Sequence, residues 1–310
     1  MGDELVIRPM RSDEWGDVAE LIHLSTNYWY EVNRRLRIFS CPPEACTWFC
    51  KVYEALDPGC CLVARDGGSE GRLVGSCFYH PRPTHVSLGI MNAHPSYAGR
   101  GVASRLLARI VQIAQEQDKP VRLVSSAMNL DSFSLYNRVG FVPRQLYQDM
   151  FLPKGVAGVT PPTLAGQVRE ARLEDVPAMV ALERELAGLD RQKDFEYFIR
   201  NEQGIWHMLV LESSPGSLSG FLASVNHPSS NMLGPGVMRE ASAALALVYR
   251  QLEHYAGKTP VFLLPTDQPE LLGQVYRWGG RNCEIHMHNV LGRFQRMQGI
   301  QMPTFMPETA

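Results

Sequence analysis

The spacing of apolar residues along the first 152 positions predicts an alternation of short strands and helices. Within 102–117, apolar residues recur every three or four positions, which is typical of an amphipathic helix. Short runs rich in Val, Leu and Ile that end at Gly, Pro or Asp predict strands instead. The predicted strands are 4–9, 60–66, 72–80, 85–93, 121–127 and 145–152, and the predicted helices lie within 13–34, 43–56, 102–117 and 131–138. This order predicts a mixed α/β or α+β fold.

A second copy of the pattern follows a segment rich in proline and glycine, 153–166, which predicts a linker. The stretch VIRPMRSDEWGDVAELI near the start resembles QVREARLEDVPAMVALE directly after the linker. Each predicts a short strand, an acidic first turn and an amphipathic helix. The ends also match, because Tyr136 and Gly140 have the spacing of Tyr276 and Gly280. We therefore expect one fold used twice. The predicted domains are 1–152 and 167–310.

Composition narrows the possible partners. The chain has 310 residues, 45% of them hydrophobic, so it can bury the cores of two domains. A net charge of −2 argues against electrostatic binding of nucleic acid or an anionic membrane. No apolar run reaches the roughly 20 residues that span a bilayer. The acidic N-terminus does not resemble a signal peptide, and seven cysteines without metal-type spacing predict reduced thiols in a cytoplasmic protein.

Two glycines directly before a predicted helix are the first candidate for chemistry. The strand 85–93 leads into HPSYAGRG, so Gly99 and Gly101 stand where the helix begins. The first turn of a helix has N–H groups without intrahelical acceptors and a positive dipole end. Glycines leave these amides open to an anion, most naturally a pyrophosphate, and Arg100 adds a positive charge. A tight turn in a structural loop remains the alternative.

The segment AHPSYAGRGVASRLL resembles motif A of the GNAT N-acetyltransferase superfamily, [QR]-x-x-G-x-[GA] after a strand. Gly101 and Ala103 occupy the last two defined positions, while Ala98 stands where Arg or Gln is usual. A second segment, NLDSFSLYNRVGF, is similar to the family's N-x-x-[AS]-x-x-L-Y-x-x-x-G-F. The resemblance covers nearly all of 3–152. It implies two tandem GNAT-like domains, each with a mixed, mostly antiparallel central sheet flanked by helices.

The resemblance implies that the first domain binds acetyl-CoA and transfers its acetyl group. The amides of the glycine loop would receive the pyrophosphate, and the pantetheine arm would pair with the strand 85–93. Asn129 would contact the pantetheine and Ser132 the coenzyme near its phosphates, although capping and turn formation fit both residues. The coenzyme-binding residues expected on this basis are Met91, Ala93, Ala98, Gly99, Arg100, Gly101, Val102, Ala103, Asn129, Ser132 and Tyr136.

Catalysis would need an acid and a base. Tyr136 matches the motif position whose phenol can protonate the departing thiolate, although a packed aromatic ring is the alternative. If side chains alternate regularly along the strand that ends at Ala93, then Ser87, Gly89 and His85 lie on the same face as Met91. His85 is therefore a candidate base. A water relay, or an amine that arrives neutral, is the default.

The acceptor side is less specific. Tyr28, Tyr30 and Glu31 could hold an amine by cation–π contact and charge, or form an aromatic face packed on the sheet. In the second domain the matching helix begins after Arg239 and Glu240 without the glycines, so its coenzyme site is expected to be degenerate. Since His286 and His288 lack a third ligand, we predict no metal site.

Together these features predict transfer of an acetyl group from acetyl-CoA to a primary amine of a small molecule, an amino acid or a peptide. A CoA-binding regulatory module without turnover, or a transferase of a longer acyl group, is the alternative. A monomer and a homodimer are both compatible with the sequence, because the internal duplication can replace the contacts of a dimer.

Overall fold

Two compact units make up the computed structural model, which describes residues 5–214 and 216–308. The first unit comprises 5–81, 86–121 and 305–308, and the second comprises 82–85 and 122–304 apart from position 215. Position 4 of the first predicted strand and the outer ends of the two predicted domains lie outside the described residues. The boundaries of these two units therefore differ from the boundaries of the two sequence copies.

The first unit is a four-stranded antiparallel sheet with helices on both faces. The strands follow the order β1–β2–β3–β4. Helix α1 lies on one face, where Asn92 of β4 donates to Ser25 of α1 across 2.7 Å. Helix α3 lies on the other face, where Gly75, in the next residue pair of the ladder, faces Val102 of α3. The elements are β1 (Leu5–Pro9), α1 (Trp15–Arg34), α2 (Thr47–Leu56), β2 (Cys61–Asp66), β3 (Arg72–Pro81), β4 (Val86–Ala93) and α3 (Val102–Glu116).

The amphipathic helix predicted at 102–117 is confirmed as α3. It buries one stripe of apolar side chains against the sheet, and its polar side chains lie on the other face. The helix ends at Glu116, four residues before Pro120, as its sequence predicts. The buried stripe consists of Val102, Leu106, Leu107, Ile110, Val111 and Ala114.

The second unit contains a larger sheet that is antiparallel except for one pair. Its strands follow the order β5–β12–β6–β11–β10–β9–β8–β7, with β13 also paired to β10. Only β10 and β11 run parallel among the pairs whose register is resolved. The elements are β5 (Val121–Ser126, its first residue in the first unit), α4 (Leu130–Val139), β6 (Val142–Phe151), β7 (Val168–Glu170), α5 (Val176–Ala187), α6 (Gln192–Arg200), β8 (Trp206–Ser214), β9 (Ser217–His227), β10 (Ser230–Met238), α7 (Ala241–His254), β11 (Val261–Pro265), α8 (Pro269–Arg277), β12 (Arg281–Leu291) and β13 (Ile300–Met302).

The last strands of the two sequence copies have exchanged neighbours. Strand β6 ends the first copy, yet it lies between β11 and β12 of the second. Strand β12 ends the second copy and lies beside β5 of the first. The mixed α/β architecture with a mostly antiparallel sheet is confirmed. Among the described residues, no helix is long and apolar enough to cross a membrane.

The proline- and glycine-rich segment is irregular, as predicted, but it is packed rather than loose. Val156 and Ala165 are buried in the apolar core of the second unit, together with residues of α7 and β11. Tyr249 of α7 donates to the carbonyl of Val159 across 3.5 Å. This segment therefore contributes to the core of the second unit.

Each sequence copy contains the same ion-pair network, which fixes the start of the first helix of that copy. Glu14 is 2% exposed; it accepts two hydrogen bonds from Arg8, at 2.7 and 2.8 Å, and one from the backbone N–H of Arg11 at 2.7 Å. Asp175 accepts the same three bonds from Arg169 and the N–H of Arg172. The hydrogen bond from Arg8 is the largest cause that lowers the pKa of Glu14 to about 2.

We predict that Glu14→Gln lowers the free energy of unfolding by about 3 kcal/mol at pH 7, because the amide cannot pair with the guanidinium groups. The folded pKa lies below the unfolded value, so the stabilisation is present above about pH 4.5 and disappears as the pH falls towards 2. Urea unfolding of both proteins at pH 7 and pH 3 measures the difference, which should shrink at pH 3. The exposed Asp13→Asn is the control and should change stability by less than about 0.5 kcal/mol.

Candidate functional site

A β-bulge interrupts β4 in the middle of its pairing with β3. Met91 lies opposite Cys77 and Leu88 opposite Tyr79, so β4 has one residue more than β3 between these pairs. The extra residue falls at Gly89 or Ile90. A bulge leaves backbone groups outside the ladder, where they can hydrogen-bond another partner. The regular ladder between β3 and β4 is therefore broken at this point of β4.

The bulge overturns the alternation assumed for the base. Leu88, not Gly89, continues the face of Met91, and Ser87 lies opposite His80 on the other face. The predicted common face from Ala93 down to His85 is wrong, because the sequence gives no sign of the extra residue. His85 precedes β4, is fully buried, and its Nδ1 lies 3.0 Å from the hydroxyl oxygen of Thr84.

The glycine loop has the backbone that its sequence predicts. Gly99 and Gly101 have φ values of 76° and 79°, which residues with a Cβ rarely adopt. A Cβ added at either position would meet no atom within 4 Å, so the space in front of the loop is open. Gly101 is the N-cap of α3, and within the described chain no side chain caps this first turn. Amides, a dipole end and open space therefore coincide, which is what a phosphate requires.

Tyr97 anchors the loop and supports its charge. Its hydroxyl donates to Asp66 at 2.8 Å, and the guanidinium of Arg100 lies 5.0 Å from the centre of its ring. His94 begins the loop, and Arg72 lies 2.9 Å from its Nε2. Burial, followed by the charge of Arg72, lowers the pKa of His94. The imidazole is therefore neutral at pH 7, and the positive charge at the loop comes from the arginines.

The second-motif residues lie on α4 in the second unit. The side chain of Asn129 accepts from the backbone N–H of Ser132 across 3.1 Å and thereby caps the helix. Tyr136 is 5% exposed, and its ring centre lies 5.7 Å from that of Phe141. Gly140 ends α4 with a φ of 101°. Asn129 and Ser132 therefore have a structural role at the start of α4. A role in coenzyme binding would be additional.

A pocket of about 720 Å³ extends along α1 in the first unit. Tyr28 and Glu31 line it, whereas Tyr30 does not and instead packs edge-on against Trp29 at 4.9 Å. Tyr28 is 51% exposed, so it is not part of a packed aromatic face. Other lining residues are Asp17, Glu20, Leu24, Arg37, Arg72 and His94. Two of the three proposed acceptor residues therefore share one cavity.

A buried contact between a histidine and a carboxylate near the bulge was not predicted. Nδ1 of His80 lies 2.7 Å from the carboxylate of Asp57, and both side chains are almost fully buried. A Cβ added at Gly89 would lie 2.9 Å from Nε2 of His80, so the imidazole requires glycine at the bulge. Asp57 lies in the turn after α2, and the sequence carries no local signal that would pair it with His80.

In the second copy, the end of the strand that matches β4 pairs with a further strand of the chain. Strand β10 pairs with β11 only at Met232 and Leu233, and its last three residues, from Gly236, pair with β13. These positions correspond in the repeat to the end of β4, where a pantetheine arm is expected. At the start of α7, Arg239 pairs with Glu185, and Glu240 occupies the N-cap. The degenerate coenzyme site expected in the second copy stays a prediction.

A bulged strand that leads through a glycine loop into an uncapped helix is the arrangement expected of an acyl-CoA-dependent transferase of the GNAT class. Residues 20–141 match the model of the Acetyltransferase (GNAT) family. This match lies in the first sequence copy and covers less than half of the chain. The first copy therefore resembles a GNAT acetyltransferase domain. A search of curated protein sequences returned no significant match.

Solved structures extend the likeness to the whole chain. A putative acetyltransferase from Pyrococcus horikoshii is 17% identical, with a TM-score of 0.72 over 98% of this chain and 95% of its own. A GCN5-related N-acetyltransferase from Sphaerobacter thermophilus is 15% identical, with a TM-score of 0.63 over 96% and 98%. A tandem GNAT protein from the clavulanic acid biosynthesis pathway is 16% identical, with a TM-score of 0.60 over 94% and 100%. The chain thus has the tandem GNAT fold.

We predict that Gly101→Ala lowers the free energy of unfolding by about 1 kcal/mol, because alanine must adopt a φ near 79°. Thermal or urea unfolding measures the loss. Gly16→Ala is the control: Gly16 is helical and has no atom within 4 Å of an added Cβ, so this change should raise stability by up to about 1 kcal/mol. Equal stability of Gly101→Ala and the unchanged protein would contradict the strained loop.

Proposed function

We propose that the protein transfers an acetyl group from acetyl-CoA to a primary amine. The observation that carries the proposal is the open glycine loop at the uncapped start of α3, in a domain that matches the GNAT family. The diphosphate of the coenzyme fits this loop because several amides and the helix dipole can receive its charge without a side chain in the way. Arg100, held over Tyr97, adds a positive charge at the rim.

The bulge in β4 supplies the second requirement. A thioester carbonyl gains negative charge when an amine attacks it, and a backbone N–H outside the ladder can stabilise that charge. The amine nitrogen forms a bond to the carbonyl carbon, the bond from carbon to sulfur breaks, and the acetylated amine leaves as an amide. An acceptor that binds as an ammonium group first loses one proton to water, and the nitrogen loses a second proton to water after it attacks, since no base is assigned.

Tyr136 is the proposed proton donor to the leaving thiolate. A phenol with an ordinary pKa near 10 can protonate a thiolate, and it regains its proton from solvent. The supporting observation is the motif position of Tyr136 at the C-terminal turn of α4, four residues before the C-cap glycine at 140.

The α1 pocket is the proposed acceptor site. Glu20 and Glu31 provide negative charge for an ammonium group, although Arg37 lies 3.4 Å from Glu31. Leu24, Tyr28 and Val32 form an exposed apolar stripe at helical spacing. This combination favours an amine that carries an apolar group, which includes a peptide N-terminus or an amino-acid derivative. A cytoplasmic location is part of the proposal, supported by seven cysteines without disulfide-type or metal-type spacing.

We predict that Ala103→Asp weakens acetyl-CoA binding at least tenfold, because a carboxylate in the first turn of α3 repels the diphosphate. An acid in this turn is favourable for the helix, so the fold should be retained. Isothermal titration calorimetry measures the affinity. Ser242→Asp places the same charge in the first turn of α7 and should leave the affinity within twofold. If the unchanged protein binds no acetyl-CoA, the proposed function is wrong.

We predict that Tyr136→Phe lowers kcat by a factor between about 10² and 10⁴ and leaves acetyl-CoA affinity within a fewfold. Release of free CoA thiol with a panel of apolar and polar amines measures turnover. Tyr276→Phe is the matched control, since Tyr276 has the same motif position in the second copy and is 46% exposed. Equal turnover of Tyr136→Phe and the unchanged protein would remove the assigned acid.

The same assay separates the alternatives. Binding of acetyl-CoA without turnover on any amine favours a CoA-binding regulatory module. Faster turnover with octanoyl-CoA than with acetyl-CoA favours a longer acyl group.

A further inference from the structure

A second pocket, of about 650 Å³, lies in the second unit. Its rim carries Arg144 of β6 and Arg296 of the loop between β12 and β13. The Arg144 guanidinium is held 4.8 Å over the ring of Phe294, which also lines the pocket. One acid, Asp267, lies on the rim and accepts a hydrogen bond from Gln145 at 3.1 Å. The rim therefore carries two positive charges against one negative charge.

The floor of the pocket is built from buried polar side chains. Tyr147 is 1% exposed and Gln301 of β13 is 4% exposed, and both line the pocket. Within residues 5–214 and 216–308, the amide nitrogen of Gln301 has no hydrogen-bond partner. A buried donor without an acceptor costs free energy, so its retention in a pocket wall points to an acceptor brought by a ligand or water.

More donors lie behind the same wall. His288 is buried with its ring centre 6.2 Å from that of Phe294, and neither ring nitrogen has a partner in the part of the chain described. Burial, followed by the charges of Arg122 and Arg144, holds the pKa of His288 well below its usual value. Arg122 is 4% exposed, and its Nε and Nη2 likewise have no partner among the described residues. Burial lowers the pKa of Arg122 to about 10, so it remains charged at neutral pH.

One buried acid partly offsets this charge. Glu183 of α5 lies in the field of Arg122; its Oε1 is bound by Arg191, and its Oε2 has no partner among the described residues. The region therefore contains more positive charge and more hydrogen-bond donors than the described side chains satisfy. Unsatisfied donors and positive charge favour a ligand that brings an anionic oxygen.

The start of α8 faces the same pocket. Gln268, its N-cap, lines the pocket, and no side chain in the described residues caps the helix. The nine-residue helix adds its dipole end to the guanidinium groups. Strand β13, which carries Gln301, pairs with the end of β10.

We propose that this pocket binds a small molecule through a carboxylate or phosphate group, held by Arg144 and Arg296 at the rim and by Gln301 and Tyr147 on the floor. The pocket is distinct from the proposed acyl-transfer site, because none of its lining residues belongs to the glycine loop, the α1 pocket or α4. Its volume is within the range of pockets that enclose small molecules.

Calorimetry on the full chain with inorganic phosphate and with succinate tests the proposal, at constant ionic strength in chloride buffer. The background is Ala103→Asp, which removes the coenzyme cradle as a competing anion site. We expect saturable binding of at least one anion, and the better of the two identifies the ligand group. Arg144→Gln with Arg296→Gln should weaken it at least tenfold, and Gln301→Leu at least threefold.

The matched control is Arg138→Gln with Arg281→Gln, which removes two exposed arginines of the same unit outside the pocket lining and should change the affinity less than twofold. Absence of saturable binding of both anions overturns the proposal. Equal weakening by the control pair overturns it too, because binding would then follow net charge alone. The rim arginines are exposed, so their variants test the site even if Gln301→Leu does not fold. None of these readouts depends on acyl transfer, so failure of the proposed function leaves the test intact.

Discussion

The antiparallel ladder between β6 and β12 is the interaction on which the second unit depends. It runs from Phe151 opposite Arg281 to Val142 opposite Val290. Because β6 also pairs with β11, the last strand of the first copy is held on both edges by the second copy. Separation of the sequence copies would expose both edges of β6 and leave their backbone groups unpaired. The two sequence copies therefore do not fold as separate sheets, because this ladder joins the last strand of the first copy to strands of the second.

Local patterns predicted the elements well because their causes are local. The stripe of α3, the left-handed glycines at 99 and 101 and the acidic first turns all follow from spacing and backbone chemistry within a few residues. The exchange of β6 and β12 has no such signal. An antiparallel strand carries the same alternation whichever neighbour it pairs with, so the choice depends on contacts more than a hundred residues apart in the chain.

Some features of the candidate site were likewise predicted from local sequence, and others were missed. Motif residues predicted the loop before α3 and the cap of α4, and the structure has both. The bulge at Gly89 and Ile90 was missed, because it is one extra residue in a register and changes no residue type. That omission produced the wrong face for Ser87 and His85. The pair of His80 and Asp57 was missed because it joins β3 to the turn after α2.

The two copies show that folding and ligand binding place separate demands on the sequence. The three bonds to Glu14 recur at Asp175, since each first helix needs its amides satisfied at the same point of the fold. The starts of α3 and α7 have no such common requirement. A helix tolerates Glu240 at its N-cap as readily as Gly101, but only the glycine leaves room for a phosphate. In the second copy, β13 pairs with the end of β10, directly before the start of α7. The same fold then presents arginines and amides in a different pocket, so its chemistry is determined by loops and strand ends rather than by the shared core.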